Sequence, residues 1–392
     1  MRRKTGTYVR TTTAGETVDA FVPAPLPPTP PLDLDAELVE RSERAHLAFG
    51  RLDGLASALP DPALFLYFFV RREAVLSSQI EGTQSSLADL LLFEQTQLAL
   101  PGIELDDVRE VSACVAAIDH GIRRLREGFP LSTRLLREVH AILLDTERGR
   151  ARAPGEIRRS QNWVGGSRPG NAHFVPPPPT HLADCLSELE RFLHDQPARV
   201  LPLLKAGLAH VQFETIHPFL DGNGRVGRLL ITLVLSADES SAEGLLREPL
   251  LYPSLLFRQQ RQEYYDRLDR VRTEGDWEGW LGFFLDGVEA AATDAVKTAR
   301  AALDRFEEDR AAIARLGRPA GSCLQLHDHL KRNPVTSIQS AAQRVPLTEP
   351  TLTAAMRRLE ELDIVEEITG RKRGRIYRYR RYVGLLAGEE ER

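Results

Sequence analysis

Residues 217–228 read His-Pro-Phe-Leu-Asp-Gly-Asn-Gly-Arg-Val-Gly-Arg, and they leave the surrounding chain few ways to fold. Pro218 and the Gly222-Asn223-Gly224 triplet disfavour a helix, whereas Val226 to Leu235 is a good apolar helix. The segment is therefore a tight loop running into a helix N-terminus. Backbone N–H groups and the positive end of the helix dipole converge there, which makes an anion site with phosphate as its natural guest. Arg225 and Arg228 lie three apart on the first turn and add two forks for phosphate oxygens. Asp221 is a hard oxygen ligand suited to Mg²⁺ bridging two phosphates. His217 is the group best suited to accept a proton near neutral pH. A phosphate cradle, a metal ligand and a base suffice for phosphoryl-type transfer, which depends mainly on positioning and charge neutralisation. The implied reaction is attack on a phosphate by a hydroxyl that His217 deprotonates. A lone Gly-x-Gly before a helix is usually just a turn, and a single histidine is usually structural. Twelve residues combining all these roles are much harder to explain as packing.

The rest of the chain reads as mainly helical. Residues 23–31, Pro-Ala-Pro-Leu-Pro-Pro-Thr-Pro-Pro, fit neither helix nor central strand and form an extended, polyproline-like strap. From Asp35 to about Arg126 the pattern is mostly helical, with breaks near Pro60–Pro62 and Pro101-Gly102, and with Leu87, Leu90 and Leu91 as a buried stripe. Leu131–Leu144 is a further amphipathic helix capped by Ser132 or Thr133. Gly, Pro and Asn then become dense. Ile157–Val164 and His173–Val175 read as a β-hairpin across the Gly165-Gly166 and Pro169-Gly170 turns, the one strand pair expected in the first 300 residues. Helical patterning resumes at His181 and runs to about Ala312, with breaks at 217–224 and 247–253. Gly317–Gly321 reads as a linker, followed by three short helices and a basic, β-prone tail, Ile364–Tyr382. That order fits a winged helix-turn-helix.

Composition narrows the functional classes. A net charge of −5 argues against general polyanion binding by the whole molecule, so any nucleic-acid surface has to be local. Cys114, Cys185 and Cys323 are far apart and suit neither a disulfide framework nor a zinc site. The basic start, Met1-Arg2-Arg3-Lys4, has no apolar run behind it, and the apolar stretch near Leu229–Leu235 is too short to span a bilayer. The expectation is a cytoplasmic protein without a membrane partner.

Residues 217–228 match the Fic family signature, H-P-F-x-[D/E]-G-N-G-R-x-x-R, at every defined position. The resemblance extends to Gln212-Phe213-Glu214-Thr215-Ile216, to Pro154–Pro179, which is similar to the family's target-docking flap, and to Phe257–Tyr265. It covers most of residues 20–300 and implies an all-α Fic core with one hairpin. It further implies transfer of AMP from Mg·ATP to a Tyr, Thr or Ser of a protein, with the enzyme itself among the candidate targets. His217 then acts as base, Asp221 as Mg²⁺ ligand, Gly222, Asn223 and Gly224 as cradle for the α- and β-phosphates, and Arg228 as holder of the γ-phosphate. Arg225 is a phosphate contact or a structural partner. Gln212 and Gln260 are implied nucleotide contacts, although many relatives carry Asn where Gln260 stands. A homodimer is implied by the resemblance alone.

Residues 71–86 carry a second motif. Ser77 and Glu81 are spaced i, i+4 on one helix face, and Gly82 ends that helix. An arbitrary S-x-x-x-E-G is most often a solvated helix end. Here it resembles the Fic inhibitory motif, [S/T]-x-x-x-E-[G/N], on a helix over about 71–82. A Glu81 carboxylate paired with Arg228 would take the fork meant for the γ-phosphate and restrain the enzyme. In the hairpin, an exposed edge at Trp163 and Val164 would pair with an extended target segment.

The expected division is an N-terminal helical domain over 1–125 with the inhibitory helix, a Fic core with following helices over 126–312, and a winged helix-turn-helix over 313–392. In the last, Ser337–Arg344 and Glu349–Leu362 read as the paired helices, with Pro346 and Leu347 in the turn and Arg357 and Arg358 on the second helix. No acidic residue interrupts 371–381, where Arg371-Lys372-Arg373-Gly374-Arg375 forms a wing tip followed by Arg378, Arg380 and Arg381. DNA binding and a protein-interaction or dimer module remain balanced for this unit. Other readings of the site are removal of AMP, another nucleotide donor, or a DNA-binding regulator that uses the Fic core as a nucleotide sensor.

Overall fold

The computed structural model describes residues 3–58, 62–97, 103–237 and 251–388 of the 392. The breaks expected at Pro60 and Pro101-Gly102, and most of that at 247–253, fall outside the described residues. As expected, the protein is mainly α. The chain opens, however, on an antiparallel hairpin, β1 (Gly6–Thr13) and β2 (Glu16–Pro23), joined at Ala14-Gly15, where both residues have positive φ. This corrects the expectation of a single strand pair before residue 300. β-Branched Thr and Val, which favour strands, are frequent in both, and alternation is clear only in β2, where Val18 and Ala20 are buried beside exposed Thr17 and Asp19. The proline strap follows as irregular extended chain, with Leu26 buried in the core.

The helical body comprises α1 (Ala36–Ala58), α2 (Pro62–Ile80), α3 (Leu87–Thr96), α4 (Leu105–Arg126), α5 (Thr133–Leu143), α6 (Leu182–Leu193), α7 (Pro202–Ile216), α8 (Asn223–Ser236), α9 (Ser254–Gln259), α10 (Arg261–Glu274) and α11 (Trp277–Ala314). Local chemistry sets several of these ends. Ser86 and Asp89 form a capping box at α3, and the Ser132 hydroxyl caps α5 by accepting from the Leu135 amide. Helices α7 and α8 are sequence neighbours joined by the loop 217–222, and they pack against each other in the middle of the core. Gly207 on α7 lies where any Cβ would press on Phe284 of α11, and the Trp280 indole N–H donates to the Gly207 carbonyl at 2.9 Å. These contacts hold the α7–α8 pair rigidly from behind.

The segment 157–175 forms much less sheet than expected. It has one isolated bridge, Val164 to Phe174, with the Val164 N–H donating to the Phe174 carbonyl at 2.8 Å. Glycines with positive φ at 165 and 166 turn the chain too soon for a longer ladder. The returning strand is braced from its other side: the Phe21 N–H of β2 donates to the Val175 carbonyl at 2.9 Å, and Phe21 and Phe174 meet edge to face. The N-terminal hairpin thus supplies the regular strand that the flap lacks.

Beyond α11 come α12 (Ala320–Arg332), β3 (Val335–Ser337), α13 (Ile338–Ala342), α14 (Glu349–Glu361), β4 (Val365–Glu367), β5 (Ile376–Tyr379) and α15 (Arg380–Ala387). The strands form one antiparallel sheet in the order β3-β5-β4. The tail departs from the β-prone reading after Tyr379, where α15 forms and buries Tyr382, Val383 and Leu386 at helical spacing. Tyr382 stacks edge to face on Phe68 of α2 at 5.2 Å and on Phe306 of α11 at 4.7 Å. The C-terminal unit is therefore packed directly against the helix that carries the Ser77–Glu81 motif. No helix among the described residues is long and apolar enough to cross a membrane.

The Tyr382 hydroxyl is buried without a hydrogen-bond partner. Tyr382→Phe should therefore leave stability unchanged or raise it by up to ~1 kcal/mol, because a buried unpaired hydroxyl is costly. Tyr382→Ala should cost ~3–5 kcal/mol through the cavity left between α2 and α11. Urea denaturation of the two variants checks both signs.

Candidate functional site

The predicted loop and helix start form as expected. His217 ends α7 in the left-handed region at φ 49°, and Gly222, at φ 74°, precedes the first turn of α8. Uncharged hydrogen bonds hold the loop between them. The Asn223 side chain accepts from the Phe219 N–H and donates to the Phe219 carbonyl, both at 2.9 Å, so its amide closes the loop and is not directed at a ligand. His140 of α5 stacks flat on Phe219 with ring centres 3.7 Å apart. Its Nδ1 accepts from the Gly155 N–H at 2.8 Å, which leaves Nε2–H to donate to the Asp221 carbonyl at 3.0 Å. Burial pushes the His140 pKa down to about 4, so the brace is neutral at pH 7.

Arg158 ties the flap to the same loop. Its Nε donates to the His217 carbonyl at 2.9 Å, Nη1 to Ser160 and Nη2 to Pro177, while its own backbone N–H donates to the Pro218 carbonyl. Its side-chain contacts are carbonyls, and burial lowers its pKa to about 10. Behind the site, the His210 Nδ1–H donates to the Gly227 carbonyl at 2.7 Å, and the Tyr264 hydroxyl donates to His210 Nε2 at 2.9 Å. That chain fixes α7, α8 and α10 to one another.

These elements enclose a cleft of about 800 Å³. It brings together Glu81, Glu214, His217, Asp221, Gly222, Asn223, Gly224, Arg225, Arg228, Tyr265 and the Trp163–Gly165 stretch of the flap. The His217 Nδ1–H points at the Glu214 carbonyl, 3.3 Å away, so Nε2 carries the free lone pair. Burial lowers the His217 pKa to about 4, only partly opposed by the Glu214 carbonyl, with Arg158 lowering it further. The imidazole is thus an unprotonated acceptor at neutral pH, the state a general base needs.

Asp221 is exposed at the cleft. Its Oδ1 accepts from the Gly222 N–H at 2.6 Å, and Oδ2 has Arg152 Nε at 3.6 Å. A carboxylate oxygen with so loose a partner beside an anion cradle would fit a divalent cation, which would supply charge neutralisation on the phosphates.

Arg228 is the most constrained charge in the cleft, 1% exposed. Its Nε donates to Ser77 Oγ at 2.8 Å, and Nη2 donates to the Ser77 carbonyl at 3.0 Å and to Glu81 Oε1 at 2.6 Å. Burial works against this charge, yet the carboxylate of Glu81 more than offsets it and raises the guanidinium pKa. For Glu81, burial likewise acts upward, and Arg228, followed by Arg225 and His217, holds the carboxyl below the usual range. The Glu81 side chain is 38% exposed, so solvent weakens the pair from one side. A Cβ at Gly224 would overlap Glu81 Oε1, so the carboxylate sits in the cradle itself, over the first turn of α8. Arg261 Nε donates to the Ile80 carbonyl at 3.0 Å and fixes the end of α2 that presents Glu81.

Two expected site residues take other places. Gln212 is buried and donates to the Ala24 carbonyl at 2.9 Å, holding the proline strap and not the cleft wall. Gln260 lies at the junction of α9 and α10 and does not line the cleft. Arg225 lines the cleft and pairs with Glu110 of α4 at 3.3 Å. Sequence reasoning missed Glu110, Arg148 and Arg152 in the cleft wall, and nothing in their spacing links them to the motif. Glu214 and Tyr264–Tyr265 lie in segments already singled out, but without a role. Burial pushes the Glu214 carboxyl up to about 7, and its Oε1 has no hydrogen-bond partner.

The helical body has solved counterparts. A Fic family protein from Desulfovibrio desulfuricans superposes over 89% of this chain and 97% of its own, with a TM-score of 0.57 at 21% identity. A Fic domain-containing signaling protein from Bacteroides thetaiotaomicron covers 67% of this chain and 97% of its own, at TM-score 0.54 and 18% identity. At these identities the likeness establishes the fold. Residues 39–123 match the model for the Fic/DOC family N-terminal region, and residues 130–235 match the Fic/DOC family model. The chain thus carries a Fic N-terminal region followed by a Fic/DOC domain. Among curated relatives, the protein adenylyltransferase Fic of Drosophila yakuba is 32% identical over 216 residues, 54% of this chain and 38% of that relative. Its namesake in Culex quinquefasciatus is 29% identical over 263 residues, 65% of this chain and 47% of that relative. The match therefore spans less than half the length of each.

His217 should stay neutral far below the usual imidazole range. Its side-chain NMR resonance, assigned by its loss in His217→Ala, should not titrate between pH 8 and about 5. The unfolded chain binds this proton near 6.5 and the folded chain only near 4. The stabilising share of the neutral ring is therefore present above pH 6.5 and lost as pH falls towards 4. A midpoint near 6.5 in the folded protein would contradict the described environment.

Proposed function

We propose that this protein is a self-restrained protein adenylyltransferase that moves AMP from Mg·ATP to a Tyr, Thr or Ser hydroxyl of a protein. The observation that carries the reading is the convergence in one cleft of an unprotonated His217, the Asp221 carboxylate and the N-terminus of α8. The relatives named protein adenylyltransferase support it.

In this reading Gly222–Gly224 and the α8 amides hold the α- and β-phosphates, and Asp221 holds Mg²⁺, which supplies charge neutralisation on the phosphates. The target hydroxyl oxygen bonds to the α-phosphorus as the bond to the β-bridging oxygen breaks. Its proton passes to His217 Nε2, and pyrophosphate leaves. The flap edge at Trp163–Gly165 aligns an extended target segment by strand pairing.

Arg228 has two competing anions. With Glu81 on its fork, the γ-phosphate is displaced, and misplacing a reacting group by about 1 Å can cost ~10²-fold in rate. Residues 1–125, which begin with the β1–β2 hairpin and continue as helices, carry this brake. Residues 126–312 carry the chemistry. The order α12-β3-α13-α14-β4-β5 supports reading 313–392 as a winged helix-turn-helix.

With α-phosphate-labelled ATP, Mg²⁺ and a cell extract, Glu81→Gly should label protein at least ~10²-fold faster than wild type. Glu81→Gly/His217→Ala should return to background. Labelling in the double variant would remove His217 as base. Equal labelling by wild type and Glu81→Gly would remove the brake. Label from GTP or UTP alone would reassign the donor, and release of AMP from a pre-modified target without transfer would reverse the direction.

A further inference from the structure

The C-terminal unit differs in charge from the rest of the molecule. Residues 313–392 contain 15 Lys and Arg against 10 Asp and Glu, a net of +5, whereas residues 1–312 contain 36 against 46, a net of −10. The acidic total therefore hides a basic module on an acidic body.

Within the module, the ion pairs sort the basic residues into two sets. Arg378 pairs with Glu366, and Arg380 and Arg381 pair with Asp363, so the base of the β4–β5 hairpin is neutralised. On α14, Arg357 and Arg358 share Glu361 at 3.4 and 3.7 Å, both exposed pairs that solvent weakens. At the hairpin tip, Arg371, Lys372, Arg373 and Arg375 are all exposed and form no ion pair among the described contacts, with the Glu367 carboxylate of β4 within electrostatic reach of Arg375 alone. Within the loop, Arg375 Nε donates to the Arg371 carbonyl at 3.0 Å and curls the loop on itself. Four like charges repel on a short loop unless something anionic meets them.

The neighbouring α14 is the second helix of a tight helical pair. Thr348 caps it, with its hydroxyl accepting from the Thr351 N–H, and Pro350 lies in its first turn. One side is buried through Leu352, Ala355, Met356 and Leu359, while Thr353, Ala354, Arg357 and Arg358 stay exposed, as do Glu349 at the start and Glu360 and Glu361 at the end. Thr353, Ala354, Arg357 and Arg358 form a small, polar and basic stretch of a helix that a major groove admits, flanked by these three carboxylates, and the cationic loop fits the adjacent phosphates.

We propose that the C-terminal module binds duplex DNA, with α14 entering the major groove and the 371–375 tip on the backbone. The adenylyl-transfer chemistry is not needed for this, so its test is independent of the one above. The full chain is titrated against a labelled mixed-sequence duplex by fluorescence anisotropy over a series of KCl concentrations. Wild type should bind at low salt, with log K falling against log salt at a slope of about −3.6, for four phosphates neutralised at ~0.9 each. Replacing Arg371, Lys372, Arg373 and Arg375 together by Ala should flatten that slope towards zero and weaken binding at least tenfold at low salt. Arg159→Ala, an exposed charge near the flap, should change neither. An unchanged thermal melt of the quadruple variant confirms that it folds, and a wild-type slope shallower than −1 overturns the proposal even if the variant does not. No duplex binding at low salt, or a quadruple variant that binds as wild type does, would overturn it. Equal binding of the single strand would remove the groove contact, and displacement by polyglutamate at equal charge would make the surface one for acidic proteins.

Discussion

A guanidinium buried to 1% exposure cannot be left without an anion, and Arg228 organises the site through that requirement. Its Nε and one Nη2 contact are committed to Ser77 on α2, which orients the fork without neutralising it. Neutralisation comes from Glu81 Oε1 at 2.6 Å. Glu81 lies just past the end of α2, beside Gly82 at φ 109°, and remains partly open to solvent. The fixed partner of the pair is therefore the arginine and the exchangeable one is the carboxylate. A phosphate offers the same charge and geometry, and breaking such a pair without replacement would be strongly unfavourable.

The groups around Arg228 follow a consistent division. The loop 217–224 is held by neutral contacts: the Asn223 amide, the His140 ring in one tautomer, and the carbonyls that Arg158 gathers. Charged groups are thereby left facing the cleft, where low exposure strengthens their interactions. His217 gains from the same burial, which keeps its ring unprotonated while the Glu214 carbonyl selects the nitrogen that faces outward. On the far side of α2, Tyr382 of α15 packs on Phe68, so the helix that presents Glu81 is supported by the C-terminal unit as well as by the core.

Much of this was legible in the sequence where local rules dominate. The loop into α8, the Ser77–Glu81 spacing on one helix face, the Ser132 cap and the helical pair around Pro346 all follow from residues within one or two turns of each other. What was not legible depends on distant partners. The β1–β2 hairpin has weak alternation and an Ala14-Gly15 turn outside the strongest hairpin signals, and it gains its place by pairing Phe21 with Val175. The flap carries real turn glycines, but their left-handed geometry at 165 and 166 stops the ladder after one bridge. Gln212 resembles a site residue because it stands one turn before His217, yet its amide faces the strap at Ala24. The wing arginines at 378, 380 and 381 read as a continuous basic stripe until Asp363 and Glu366, earlier in the chain, fold onto them.

The central claim is that Glu81 occupies the place of the γ-phosphate on Arg228. Calorimetric titration of ADP and of a non-hydrolysable ATP analogue, each with Mg²⁺, into wild type and Glu81→Gly measures what the γ-phosphate contributes to binding in each. The account predicts nearly equal affinities for the two nucleotides in wild type. In Glu81→Gly the triphosphate should be preferred by at least about tenfold, the value of a ~1.4 kcal/mol gain. The same preference in both proteins would show that Glu81 and the γ-phosphate do not compete for Arg228, and would contradict the account.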